Sequence, residues 1–157
     1  MFKVDDYIMY GRTGVCKVVD ITNEKFINGE ERKYYVLSPI HNNNNTIIKI
    51  PLDNTKVPMR KIISKEDVTS LINDMSNMEE LWIEDEKKRS NEFKTMLKSG
   101  KCEDLIKLIS NKRHSKKLNK ADKEIIKEAE RLVNEEFAII LNISPKEVNS
   151  YISSKRA

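Results

Sequence analysis

The densest grouping of residues able to do chemistry is NKRHSKKLNKADKE, which sets Lys112, Arg113, Lys116, Lys117, Lys120 and Lys123 across a helix end, a loop and a helix start. A solvated face is the common use of lysine-rich helices, but such a face usually carries acids at i,i+4. Here the cations gather at a junction largely without that balance, an arrangement suited to a phosphate backbone, with affinity that falls as salt rises. The charge distribution agrees: residues 79–86 hold five acids and no base, whereas residues 87–131 hold fifteen Lys/Arg against seven Asp/Glu. With no zinc spacing and no base-reading helix, the expectation is weak, shape-dependent DNA contact. No metal site and no cofactor are expected.

The second grouping is ELWIEDEKKRS, where the only tryptophan, Trp82, precedes Lys87, Lys88 and Arg89. On a helix running from about Met78 to Leu97, Trp82, Arg89 and Phe93 fall within about 20° of one line. Residues 84–92 are all polar, so that stretch offers no apolar packing. Trp82 then has two readings. It closes a small apolar cluster with Leu71, Met75 and Met78, or it sets its ring against a base or between base steps while the neighbouring cations hold phosphates.

These groups must be positioned by two kinds of element. Up to about residue 62 the chain reads as short strands: YIMY, GVCKVVDI, KYYVLS, TIIKIPL and VPMRKI, rich in Val, Ile and Tyr and separated by RTG, NGEE, NNNN and DNT. With no helix between them, an antiparallel sheet follows, curled or closed like a small SH3-like or Tudor-like barrel. From Ser64 the period becomes helical. SKED opens a first helix, the second ends at Ser99-Gly100, Cys102 to Ile109 form a third, Asn119 caps a long fourth, and the capping box of SPKEV starts a fifth. The fold class is α+β, with a β module at 1–62 and a helical bundle at 63–157.

Several functions find little support. His41 and His114 have no nucleophile nearby in sequence and no glycine-rich phosphate loop is present, so no enzyme and no small-molecule substrate are expected. A peptide or modified-lysine reader would need Tyr7, Tyr10, Tyr34 and Tyr35 to converge, and strand alternation splits Tyr34 from Tyr35. A DNA-coating protein acting through the basic block alone remains a rival. Cys16 and Cys102 suit two reduced thiols, MFKVDDYIMYG lacks an apolar signal core, and no membrane partner is expected; the expected location is cytoplasmic and nucleoid-associated.

The order of the segments resembles the CarD/CdnL family of bacterial transcription regulators. It is carried by FKVDDYIMYGRTGVCKVVDI, similar to the family's opening F-x-V-G-D-x-V-x-Y-x-x-x-G, then by NGEERKYYVLSP and TIIKIPLDN, and again by FKTMLKSGKCEDLIKLI and LNKADKEIIKEAERLVNEEFAIILNIS. The resemblance implies a Tudor-like domain docking on the β subunit of RNA polymerase, and a helical domain touching promoter DNA at the upstream edge of the bubble and altering open-complex lifetime. In the family a tryptophan followed by basic residues meets the minor groove, the role this implies for Trp82. Lys49 stands where a basic residue faces polymerase, and Lys25 is the nearest match for a second. In TIIKIP, Ile47 and Lys49 share one side of a strand and Ile48 and Ile50 the other, and Lys49 is expected to point outward. Asp5 replaces the usual glycine, without cost if the turn is not left-handed. Counted back from LKSGK, the family's tryptophan position falls near Glu86, one helical turn beyond Trp82.

Overall fold

The computed structural model describes residues 1–41, 45–75 and 82–156. They divide into two compact units, Met1–Ile62 and the chain from Ile63 onward. The first unit is an open antiparallel sheet of β1 (Tyr7–Tyr10), β2 (Gly14–Lys25), β3 (Glu31–Pro39), β4 (Ile48–Pro51) and β5 (Met59–Lys61), in the order β4-β3-β2-β1-β5. Alternation fills one face: Ile8, Cys16, Val18, Tyr35 and Leu37 are buried together, with Ile21, Ile48 and Ile50 packed against them. The β2–β3 register shifts between Val18 and Asp20, a bulge at Val19 that brings Ile21 opposite Tyr35 and back to the core face.

The sheet is uneven in width. β1 pairs only with Gly14 to Lys17 of β2, and β4 only with Tyr34 to Leu37 of β3. Beyond Thr22 and Tyr34 the two long strands therefore continue as a two-stranded ribbon, ending in a turn at residues 26–30. That turn is closed by hydrogen bonds from Phe26 N to Glu30 O and from Gly29 N to Phe26 O, at 2.8 and 2.9 Å. Gly29 takes φ +86°, a conformation that a Cβ disfavours.

The second unit consists of α1 (Lys65–Asp74), α2 (Glu86–Ser99), α3 (Cys102–Ser110), α4 (Lys120–Leu141) and α5 (Val148–Arg156), with 3₁₀ turns at Asn111–Lys117 and Pro145–Glu147. Local chemistry explains the ends. Ser64 and Asp67 form a capping box on α1, Asn119 Oδ1 accepts from Asp122 N to start α4, and Ser144 with Glu147 forms a second box around Pro145. Gly100, at φ +67°, ends α2. The core is built of Val68, Phe93, Leu105, Leu108, Leu132 and Phe137, all essentially solvent-free. Glu136 is buried too, its carboxylate accepting from Ile63 N at 3.0 Å.

Two expectations change. The second helix begins at Glu86, not near Met78: Asp85 is extended and its carboxylate accepts from Lys88 N, so the acidic triplet 84–86 belongs to a helix start and not to a helix interior. Trp82 therefore lies before the helix, and the offset from Glu86 is one of chain path, not of helical rise. Met78 falls outside the described residues. Asp5, in turn, sits at φ +76°, so the turn is left-handed and the departure from glycine carries strain.

A β-branched residue at that position meets the left-handed penalty in full. Asp5→Val is expected to lower stability by about 1–2 kcal/mol, while Asp5→Gly is not destabilising; urea unfolding of the two variants compares them directly.

Candidate nucleic-acid and partner interfaces

The N-terminal ends of α2 and α4 meet around one ion pair. Arg89 Nε donates to Asp122 Oδ2 at 3.0 Å, and Ser90 Oγ donates to Asp122 Oδ1 at 2.8 Å. Both partners are out of solvent, the side chains 5% and 0% exposed. Arg89 continues to the chain ahead of α2, its Nη1 donating to Ile83 O at 3.1 Å and Glu84 O at 3.4 Å. Asn119, which caps α4, also donates through Nδ2 to Glu86 Oε1 at 2.7 Å.

Trp82 is seated on this cluster. The Arg89 guanidinium carbon lies 4.8 Å from the ring centre, the His114 imidazole stacks at 4.4 Å between centroids, and Lys117 Nζ approaches to 5.9 Å. Trp82 Nε1 donates to Glu84 Oε1 at 3.0 Å. The indole is partly buried against cations and an imidazole, so among the described residues its ring partners are not those of the expected cluster with Leu71 and Met75.

Arg89 is a correction to the set of expected DNA cations: buried and neutralised by Asp122, it does not present its charge at the surface. The line through Arg89 and Phe93 is nevertheless the inward face of α2, since both are buried. Lys87 and Lys88 are exposed in the first turn of α2, and Lys116, Lys117, Lys120 and Lys123 are exposed around the start of α4. Lys112 pairs with Glu130 at 3.1 Å. Arg113 lines a pocket of about 320 Å³ with Ile109, Glu130, Val133 and Ile152. The structure thus gathers Trp82, Arg89 and Lys117 at one place and sets Lys112 and Arg113 along the 3₁₀ turn that also carries His114. Sequence reasoning missed His114, Ser90 and Asp122. Only the last carried a usable signal, as an acid in the first turn of a capped helix.

On the β module, Lys49 is exposed on β4, while Ile48 and Ile50 pack inward. Ile47, just before the strand, is 55% exposed. Glu24 accepts from Lys49 Nζ at 2.8 Å and holds its ammonium above the usual lysine range, chiefly through that hydrogen bond. Lys25 is exposed beside Glu24 at the end of β2, opposite Glu31. The ribbon tip adds what the sequence reading did not single out: Phe26 is 43% exposed and Ile27 wholly so. The available signal was an apolar pair placed directly before Asn28-Gly29 in a charged hairpin.

The first unit is thus an open five-stranded antiparallel sheet consistent with the SH3-like or Tudor-like kind, with β4 and β5 as its outer strands among the described residues. More specifically, residues 2–63 match the family model of the CarD-like/TRCF RID domain, and the unit is a domain of this RNA polymerase-interacting family. Such a domain is an interaction module, not a catalytic one. The match ends at the start of the helical unit. The search among curated proteins found no match to the chain. Among the described residues, no cluster of His, Cys, Asp and Glu could hold a metal ion, and no helix is long and apolar enough to cross a membrane.

Removing one member of the buried pair strands the other. Asp122→Ala is expected to lower the stability of the chain by about 3–5 kcal/mol by leaving Arg89 uncompensated, measured as a drop in the thermal midpoint.

Proposed function

We propose that this chain is a transcription regulator that docks on the β subunit of RNA polymerase through the outer edge of β4 and lays its helical unit on promoter DNA at the upstream edge of the bubble, changing the lifetime of the open complex. The observation carrying this reading is the RID match over residues 2–63 together with β4 lying at the sheet edge. An edge strand offers backbone N–H and C=O groups to which a partner strand adds. Ile47 and Lys49 supply an apolar and a cationic contact beside that edge. Lys25 and the exposed pair Phe26 and Ile27 extend the same surface along the ribbon.

DNA contact is assigned to Trp82 and to Lys87, Lys88, Lys112, Arg113, Lys116, Lys117, Lys120 and Lys123, acting on phosphates and the minor groove. The exposed lysines that follow the Trp82 cluster support this, because cations near an aromatic ring combine phosphate neutralisation with ring contact. Arg89 is left out of the phosphate contacts for the reason given above.

Two measurements test the halves separately. The tagged chain is expected to co-purify polymerase, and Lys49→Glu to weaken capture of the β subunit while leaving the thermal midpoint in place; unchanged capture removes the β4 assignment. Replacing Lys116, Lys117, Lys120 and Lys123 by alanine is expected to weaken DNA binding and to flatten the dependence of log K on log salt by about 0.9 for each phosphate left unneutralised. An unchanged slope removes the basic segment from the interface, and DNA binding without any polymerase association favours a DNA-coating protein.

A further inference from the structure

We propose that Asp122 is a positioning residue: through Arg89 it mounts Trp82 on the start of α4, so that the indole meets DNA as a fixed group while Arg89 contributes no phosphate contact. The proposal rests on the assignment of Trp82 to DNA, and its test separates the two.

The mount can be followed atom by atom. Asp122 is held in place twice, by its backbone N–H bonded to the Asn119 cap at 2.8 Å and by a carboxylate with no exposed surface. One carboxylate oxygen takes Ser90 and the other takes Arg89 Nε. The guanidinium then reaches beyond its own helix, bonding the carbonyls of Ile83 and Glu84 and lying on the indole at 4.8 Å. Between Trp82 and the first residue of α2 stand only residues 83–85, none in a helix or strand. Without the fork, those residues are a short tether, and the indole keeps only Glu84, His114 and Lys117 as described partners.

The choice of residue types fits this task. A planar guanidinium can serve a carboxylate and two carbonyls at fixed angles, which an ammonium on a flexible stem cannot. Burial shields the pair from salt, so the mount persists at ionic strengths that weaken phosphate contacts. An arginine meant for phosphate has the opposite requirement: its charge must be exposed, and Arg89 is 4% exposed.

Because Trp82 is the only tryptophan, its emission reports on the mount without labelling. The full chain is compared with Arg89→Lys, with Asp122→Asn, and with the double variant Arg89→Met, Asp122→Leu. The last replaces the buried charges by apolar side chains of similar size, a change that proteins tolerate, and it carries the test if the single variants fail to fold. Expected are a fall in Trp82 anisotropy and greater quenching by acrylamide in every folded variant, with the double variant keeping its thermal midpoint. Binding to a fluorescein-labelled AT-rich duplex is expected to weaken roughly tenfold with the salt slope unchanged. Unaltered anisotropy and quenching overturn the mount. A slope reduced by about 1 makes Arg89 a phosphate contact and also overturns it. If the indole loosens yet DNA affinity holds, Trp82→Ala decides: weakened binding there overturns positioning, whereas retained affinity removes Trp82 from DNA and leaves the mount as architecture.

Discussion

A buried ion pair is a costly way to join two helices, because both charges give up water and only good geometry with further hydrogen bonds offsets the loss. Arg89 and Asp122 meet that condition: the carboxylate is filled by Arg89 and Ser90, and the guanidinium has two carbonyls besides. What the pair provides that apolar residues would not is direction. A leucine in place of Arg89 could fill the volume but could not hold the carbonyls of Ile83 and Glu84. Through Arg89 the chain before α2, and with it Trp82, is tied to the start of α4.

The β module works by a different constraint. Its main apolar cluster, Ile8, Cys16, Val18, Tyr35 and Leu37, is drawn from alternating positions of its strands. The inward turn of Ile48 and Ile50 is what turns Lys49 out. The bulge at Val19 does similar work for the far half of β2: with one residue more, the alternation is corrected and Ile21 returns to the core side.

Much of this was legible because it is local. Strand alternation, the serine and asparagine caps at Ser64, Asn119 and Ser144, and the glycine at position 100 all act within a few residues of themselves, and the helices they bound appear where the pattern puts them. The start of α2 was misread because Leu81, Trp82 and Ile83 continue an apolar rhythm backward, while the opposing signal, an acid in the capping position, lay among other acids. The environment of Trp82 was not legible at all. Its organising carboxylate is 33 residues from Arg89, and no periodicity links an arginine in a polar run to an aspartate in another helix. The left-handed turn at Asp5 was hidden for a related reason, since aspartate is one of the few residues that accepts such a turn.

The ribbon that carries Phe26 and Ile27 has a bearing on solubility. A wholly exposed isoleucine beside a half-exposed phenylalanine, at the end of a two-stranded ribbon, has the makings of a nucleus for self-association. Glu24, Lys25, Glu30, Glu31, Arg32 and Lys33 surround it with both signs of charge, the kind of gatekeeping that keeps sticky strands apart. The apolar tip is thus bordered by charge of both signs, which opposes edge-to-edge pairing of two such ribbons.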